Sequence, residues 1–303
     1  MTRRDRLLAV AQWLGLGALV GALCGAAAAL FLWLLDEATA YRTDHAAIVF
    51  ALPVAGLAIG WIYERLGAPI AAGNNLVIDT IHDDGPELPL RMAPMVLIGT
   101  VLTHLFGGSA GREGTAVQMG ASLTDWVAHR LRLTPALRRQ LLAAGVAGGF
   151  GAVFGTPIAG AVFGLEFVVL GRLEYRALVP ALVASIVGDL TTRFLGILHT
   201  PYPLAPAVPL NLLLPTWVVF AAAVALASTS FIELTHFIKK RGEALRLPLR
   251  MALGGVAGDP VTGRSKRKPV APCNPLQCRV AVHAAISGAA ALRVSRRARR
   301  HAA

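Results

Sequence analysis

Charged residues are scarce in this sequence. Asp, Glu, Lys and Arg make up 15% of its 303 residues, whereas hydrophobic residues make up 55%. An ordinary soluble domain carries about a quarter charged residues, so that class is excluded. Cysteine is also sparse: three residues build no disulfide framework, and Cys273 and Cys278 lack the histidine pattern of a zinc site. Cys24 lies in a run of small apolar residues and reads as a packed thiol. His104, His129 and His236 are scattered, and no Ser-His-Asp set, metal cluster or phosphate loop accompanies them. Nothing therefore marks an enzyme or a bound cofactor. A cleavable secretory signal is not expected either, because the first apolar run, Leu7 to Leu35, is too long for a signal core.

What the chain has is a series of long apolar runs, the mark of a multi-span membrane protein. The net charge of +12 looks like a nucleic-acid signal until it is located. From Met251 onward ten Lys and Arg face Asp259 alone, so the excess sits in the tail and no nucleic-acid partner is expected of the rest. Arg3, Arg4 and Arg6 stand just before the first apolar run, which favours a cytoplasmic N-terminus in the cell membrane.

Leu7 to Leu35 is longer than the ~20 residues a crossing needs, so a tilted or protruding helix is expected. Its Gly15, Gly17, Gly21 and Gly25 recur at helical spacing and read as a packing face. Ala46 to Tyr63 makes a second span, after which Gly73-Asn74-Asn75 leads a stretch, Leu76 to Ile81, too short to cross. That stretch reads either as a half-helix starting inside the membrane or as a surface turn. His82, Asp83, Asp84 and Glu87 mark a return to water. Leu88 to Phe106 follows as a membrane-length helix, and Pro135 opens another behind Thr134. Leu141 to Phe154 breaks at Gly155-Thr156-Pro157 and restarts as Ile158 to Leu170, whose Glu166 reads either as a partner of Arg172 or Arg176 or as part of an ion route. Tyr175 to Leu198 carries Asp189 and Arg193, an i,i+4 pair, and Asn211 to Ile238 is the last long run.

The central stretch, Gly107-Gly108-Ser109-Ala110-Gly111-Arg112-Glu113-Gly114-Thr115, separates Leu88–Phe106 from a helix read as beginning at Thr115. A glycine-rich turn feeding a helix start leaves backbone N–H groups without partners at the positive end of the helix dipole, which makes an anion site. A carboxylate at bilayer depth is expensive unless it is paired or functional. Glu113 is therefore either locally satisfied, by Arg112 or as a cap, or it acts.

Gly111-Arg112-Glu113-Gly114-Thr115, followed by Val117-Gln118-Met119-Gly120 and by Gly155-Thr156-Pro157-Ile158-Ala159-Gly160, closely resembles the CLC chloride channel and transporter family. The resemblance implies an all-α, polytopic membrane protein of two inverted repeats with broken and half-spanning helices. It implies a homodimer with one anion path per subunit, carrying fluoride or chloride and, in exchangers, protons. Glu113 is then the gating and proton-coupling glutamate. Asn74, Gly111, Arg112, Gly114 and Thr115 surround the anion, Gly114 and Thr115 through their backbone N–H groups.

Two departures resemble the fluoride-exporting branch: Asn74 stands for the serine of a Gly-Ser-Gly-Ile-Pro segment, and Thr115 for the proline after Glu-Gly. A third concerns protons, because Glu166 is followed by Phe167 where many chloride exchangers have a second glutamate. A complete member would continue with a Gly-x-Phe-x-Pro segment and a late tyrosine, and neither follows Leu249. Residues 1–250 are accordingly read as the first repeat plus one helix, and 251–303 as a basic tail. A reading-frame change or a deliberate basic segment accounts for that tail. The competing functional readings are a non-transporting membrane fragment, and a membrane protein whose basic tail binds anionic lipid.

Overall fold

The computed structural model describes residues 3–67, 70–82, 87–168, 175–199, 210–242 and 245–262, and every element among them is helical. Asp83, Asp84, Arg172, Cys273, Cys278 and the stretch Val280 to Leu292 lie outside the described residues. Two compact units divide the chain, residues 1–199 with 247–264, and residues 200–246 with 265–303.

In the first unit α1 spans Arg3–Asp44, α2 Leu52–Leu66, α3 Asn74–His82, α4 Met92–Leu105, α5 Arg112–Arg130, α6 Pro135–Phe154, α7 Pro157–Val168, α8 Leu178–Phe194 and α10 Leu247–Thr262. At 42 residues, α1 extends to about 63 Å, roughly twice the hydrocarbon core of a bilayer. Four stretches among the described residues are long and apolar enough to cross: Ala11–Asp44, Ala46–Leu66, Tyr175–Phe194 and, in the second unit, Pro215–Gly242. The apolar helices Met92–Leu105, Pro157–Phe167 and Leu247–Val256 are shorter.

Three boundaries differ from the sequence reading. The fourth helix starts at Met92 rather than Leu88, because the Leu88 N–H is donated to Asp125 Oδ2 at 2.6 Å and the Pro89 carbonyl accepts from Ser122 Oγ at 3.0 Å. The fifth starts at Arg112, behind an extended Gly111 with φ −76° and ψ 135°. The third is a nine-residue helix beginning at Asn74, so of the two readings of that stretch the short helix holds. The sixth ends at Phe154 on Gly155, whose left-handed φ of 64° closes it, a conformation that glycine adopts without a Cβ clash.

Small residues let these helices touch along their backbones. On α1, a Cβ added to Gly17, Gly21 or Gly25 would meet the carbonyl oxygens of Pro180, Ala184 and Gly188 on α8 at 3.1, 2.6 and 2.5 Å, whereas one at Gly15 meets nothing within 4 Å. Three of the four α1 glycines are thus the packing face. Between α5 and α6, Gly120 faces the Gly145 carbonyl and Gly149 faces that of Ala116. The i,i+4 pair of α8 is present, Arg193 Nε donating to Asp189 Oδ1 at 3.0 Å.

The far end of α5 is held electrostatically. Asp125, fully buried, accepts from Arg138 Nε at 2.6 Å and Nη2 at 2.9 Å, a two-pronged bond that ties α5 to the first turn of α6. The same carboxylate takes the Leu88 N–H, so one side chain fixes α5, α6 and the segment leading into α4.

α10, Leu247–Thr262, runs across residue 250. A Cβ on Gly60 would meet Pro248 Cα at 2.5 Å, and one on Gly255 would meet Pro53 Cα at 2.8 Å, so the α2–α10 contact continues past that point. Backbone contact through glycine leaves no trace in a charge count. In the second unit α9, Leu210–Gly242, holds Pro215 near its start, and the Arg241 guanidinium lies over the Phe237 ring at 4.9 Å.

Substituting Gly120→Ala drives a methyl into the Gly145 carbonyl, an overpacking cost of about 1–3 kcal/mol. The melting temperature of the detergent-solubilised protein is expected to fall in Gly120→Ala and to hold in Gly15→Ala. Equal melting of the two variants would contradict backbone contact at that crossing.

Candidate functional site

The break between α4 and α5 is built by a short sequence of turns. Gly107, at φ 82°, reverses the chain after α4, with its N–H on the His104 carbonyl and that of Gly108 on Thr103 at 2.8 Å. Extended Gly111 then delivers the chain into α5. Because α5 begins at Arg112, the N–H groups of Arg112, Glu113 and Gly114 have no carbonyl one turn behind them. They converge at the positive end of a 19-residue helix.

The Glu113 side chain folds back over this end: a Cβ placed on Gly111 would lie 3.5 Å from Glu113 Oε2. Among the described residues neither Arg112 nor Glu113 has an ion-pair partner, so the Arg112–Glu113 pair considered from the sequence is not formed. Both side chains are exposed. A carboxylate resting over its own helix start is placed where an anion would sit.

Asn74 comes to this point from a different element. Gly73, at φ 60°, turns the chain into α3, and α3 packs on α5. A Cβ on Gly114 would meet Asn74 Nδ2 at 3.5 Å, Gln118 Nε2 at 3.7 Å and Asn74 Oδ1 at 3.8 Å. The structure therefore joins Asn74 and Gly114, residues 40 positions apart in the chain, and sets Gly111 and Glu113 beside each other. Arg112 stands at the same helix start with its side chain exposed.

Thr115 is placed differently from the other candidates. It is buried, and its hydroxyl bonds Thr100 Oγ1 on α4 at 2.7 Å and reaches the Gly111 carbonyl at 3.4 Å. Its side chain fastens the break from behind. Its backbone N–H stands four residues after Gly111, the spacing of an intrahelical bond, so the unpartnered donors are those one turn earlier.

Gln118 is the residue that sequence reading passes over. Its Nε2 donates to Asn74 Oδ1 at 2.9 Å. The available signal was its spacing, four residues after Gly114 and so on the same face of the helix. Glu166 is exposed on α7; of its two candidate partners Arg172 lies outside the described residues, and Arg176 forms no ion pair with it among the described residues.

The sequence profile described as voltage gated chloride channel matches residues 55–262. A "Chloride/fluoride channel protein" of Pseudomonas syringae pv. tomato is 48% identical over 257 residues, which are 83% of this chain and 56% of that protein. An "H(+)/Cl(-) exchange transporter ClcA" of Yersinia pestis is 30% identical over 162 residues, 51% of this chain and 33% of that one. Among solved structures, a CLC-type fluoride/proton antiporter superposes with a TM-score of 0.74 at 32% identity, covering 85% of this chain and 65% of that chain. A slow cyanobacterial Cl-/H+ antiporter gives 0.72 at 19% identity over 82% and 62%, a likeness of fold. The chain spans about half the length of the first of these relatives and a third of the second.

A methyl at Gly114 meets only ordinary contacts, and alanine is the better helix former by up to about 1 kcal/mol. Gly114→Ala is expected to leave the melting temperature unchanged or raised while weakening fluoride and chloride binding severalfold in a calorimetric titration, because the methyl occupies the space beside the Asn74 amide. Unchanged affinity would remove Gly114 from the site.

Proposed function

Because the chain belongs to the voltage-gated chloride channel family, we propose that it forms one wall of a halide pathway that favours fluoride over chloride and exchanges it for protons, with Glu113 as the gate. The observation that carries this reading is the arrangement at the start of α5, where the unpartnered N–H groups are flanked by the Glu113 carboxylate folded back to Gly111 on one side and by the Asn74 amide beside Gly114.

An anion needs donors to replace its water, and the backbone N–H groups at a helix start supply them without rearrangement. Gly111 lets the chain approach closely, Arg112 adds positive charge nearby, and Thr115 holds the helix start on α4. While Glu113 is ionised its carboxylate occupies the same positive end and excludes the anion. Proton uptake at Oε1 or Oε2 neutralises it, the carboxyl loses its attraction to the helix end, and the anion takes its place. Return of the carboxylate releases the proton and displaces the anion. One group thus links proton and anion binding, and exchange in opposite directions requires that the two ions reach and leave it on opposite sides of the membrane.

Fluoride is small and holds its water strongly, so a site that takes it must offer strong, well-aimed donors. An amide N–H₂ at Asn74 gives two in place of the single hydroxyl of a serine. Phe167 offers no carboxylate where many chloride exchangers carry a second glutamate, so we assign proton entry at the outer side to Glu113 alone and leave Glu166 outside the coupled pair. Likeness to the Pseudomonas chloride/fluoride channel protein and to the solved fluoride/proton antiporter supports the choice of ion.

We extend the reading to a homodimer with a cytoplasmic N-terminus, from Arg3, Arg4 and Arg6, and to a transmembrane part over residues 1–250 whose last helix continues into the basic segment 251–303.

Liposomes holding the purified 303-residue chain test this directly. Fluoride efflux should exceed chloride efflux and move protons the other way, and Glu113→Gln should abolish the proton movement. Coupled flux left intact in that variant would remove Glu113 from the gate. Absence of any flux would favour the non-transporting reading of this chain.

A further inference from the structure

An asparagine amide has two ends of opposite polarity and nearly equal size. Rotated by half a turn, the same side chain offers an anion a carbonyl oxygen, which repels it, in place of an N–H₂ group, which binds it. Nothing in the shape of Asn74 chooses between these states. A hydrogen-bond partner on one end ties its orientation to that partner's.

Gln118 is that partner. It lies on α5 one turn beyond Gly114, half-buried, and its Nε2 donates to Asn74 Oδ1 at 2.9 Å, a normal N–H···O length. The bond occupies the carbonyl end of Asn74. The other end, Nδ2, then stands 3.5 Å from the Cβ position of Gly114, nearer than Oδ1 at 3.8 Å. Gln118 Nε2 itself lies 3.5 Å from the Cβ position of Gly73 and 3.7 Å from that of Gly114, so its second N–H remains in the same space. The bonded pair presents two nitrogens and one oxygen beside Gly114, the oxygen being already occupied by the Gln118 N–H, whereas a pair flipped in concert would present two oxygens and one nitrogen. Joining the amides turns two independent choices into one.

We infer that Gln118 is a positioning residue that fixes the donor face of the Asn74 amide toward the anion and thereby sets the preference for fluoride. The inference rests on the assignment of Asn74 to the anion site made above. Gln118 acts through Asn74, by determining which of its ends is available. Fluoride, with the denser charge, makes the shorter and stronger hydrogen bonds, so it loses more than chloride does when the amide is free to turn.

Calorimetric titration of the purified full chain with sodium fluoride and sodium chloride tests this, using Gln118→Met, Asn74→Ser and the double variant, with melting temperature as the folding control. Gln118→Met keeps the length of the side chain and removes both amide ends. It is expected to weaken fluoride binding roughly tenfold, the scale of one charge-assisted hydrogen bond, to weaken chloride less, and to leave melting unchanged. A serine hydroxyl rotates to suit its ligand, so in the Asn74→Ser background Gln118→Met should have no further effect.

Equal losses for the two anions, or a full second loss in the Asn74→Ser background, would show that Gln118 acts on the anion or the fold by itself and would overturn the inference. If Asn74→Ser changes fluoride affinity and Gln118→Met does not, the inference fails while the Asn74 assignment stands. If neither variant changes it, or the unmodified chain binds no fluoride, the Asn74 assignment fails and the inference falls with it.

Discussion

Three backbone N–H groups at the start of α5 have no carbonyl behind them, and the first unit is arranged around that deficit. The donors of a helix start are satisfied by water, a capping side chain, a ligand or a substitute. Gly111 at the cap position has no side chain to offer. The nearest substitute is the carboxylate of Glu113, two residues into the helix and folded back on it. A carboxylate without an ion-pair partner among the described residues can be exchanged for a free anion, which is the physical basis of the gate we propose.

An exchangeable ligand is useful only if the donors stay still when it leaves. Thr100 and Thr115 join the two sides of the break through their hydroxyls, and Asp125 with Arg138 holds the other end of α5 to α6. Between these points Gly120 and Gly149 bring the α5 and α6 backbones into contact. An ion pair buried this deeply is costly to break, by about 3–5 kcal/mol if one partner is removed, which suits a fixed anchor rather than a moving part. The contacts that hold α5 are thus spread along its length, and the Glu113 side chain stands exposed at its tip.

Much of this was legible in the residues. Periodicity and glycine spacing marked most of the spans, the α1 packing face and a break after Phe106, although the helix beyond it was read from Thr115 rather than Arg112. The short apolar stretch after Gly73 also announced α3, although composition alone left its placement open. What the sequence hid depends on contacts between distant residues. The start of α4 is displaced to Met92 because Leu88 and Pro89 bond to α5, 37 and 33 residues away. The bond from Gln118 to Asn74 crosses 44 positions, and the seating of Gly255 on Pro53 spans a larger interval. Local patterns carry local structure, and a hydrogen bond between helices becomes visible when both have been placed.

The central claim is that an anion and the Glu113 carboxylate compete for one helix end. Competition requires that binding an anion draw a proton onto the protein, since only the neutral carboxyl yields its place. Calorimetric titration of fluoride and chloride into the purified chain, repeated across pH and in buffers of different ionisation heat, measures that proton directly. Tighter binding is expected as pH falls, with proton uptake accompanying each anion bound. Anion binding that is independent of pH and takes up no proton would contradict it.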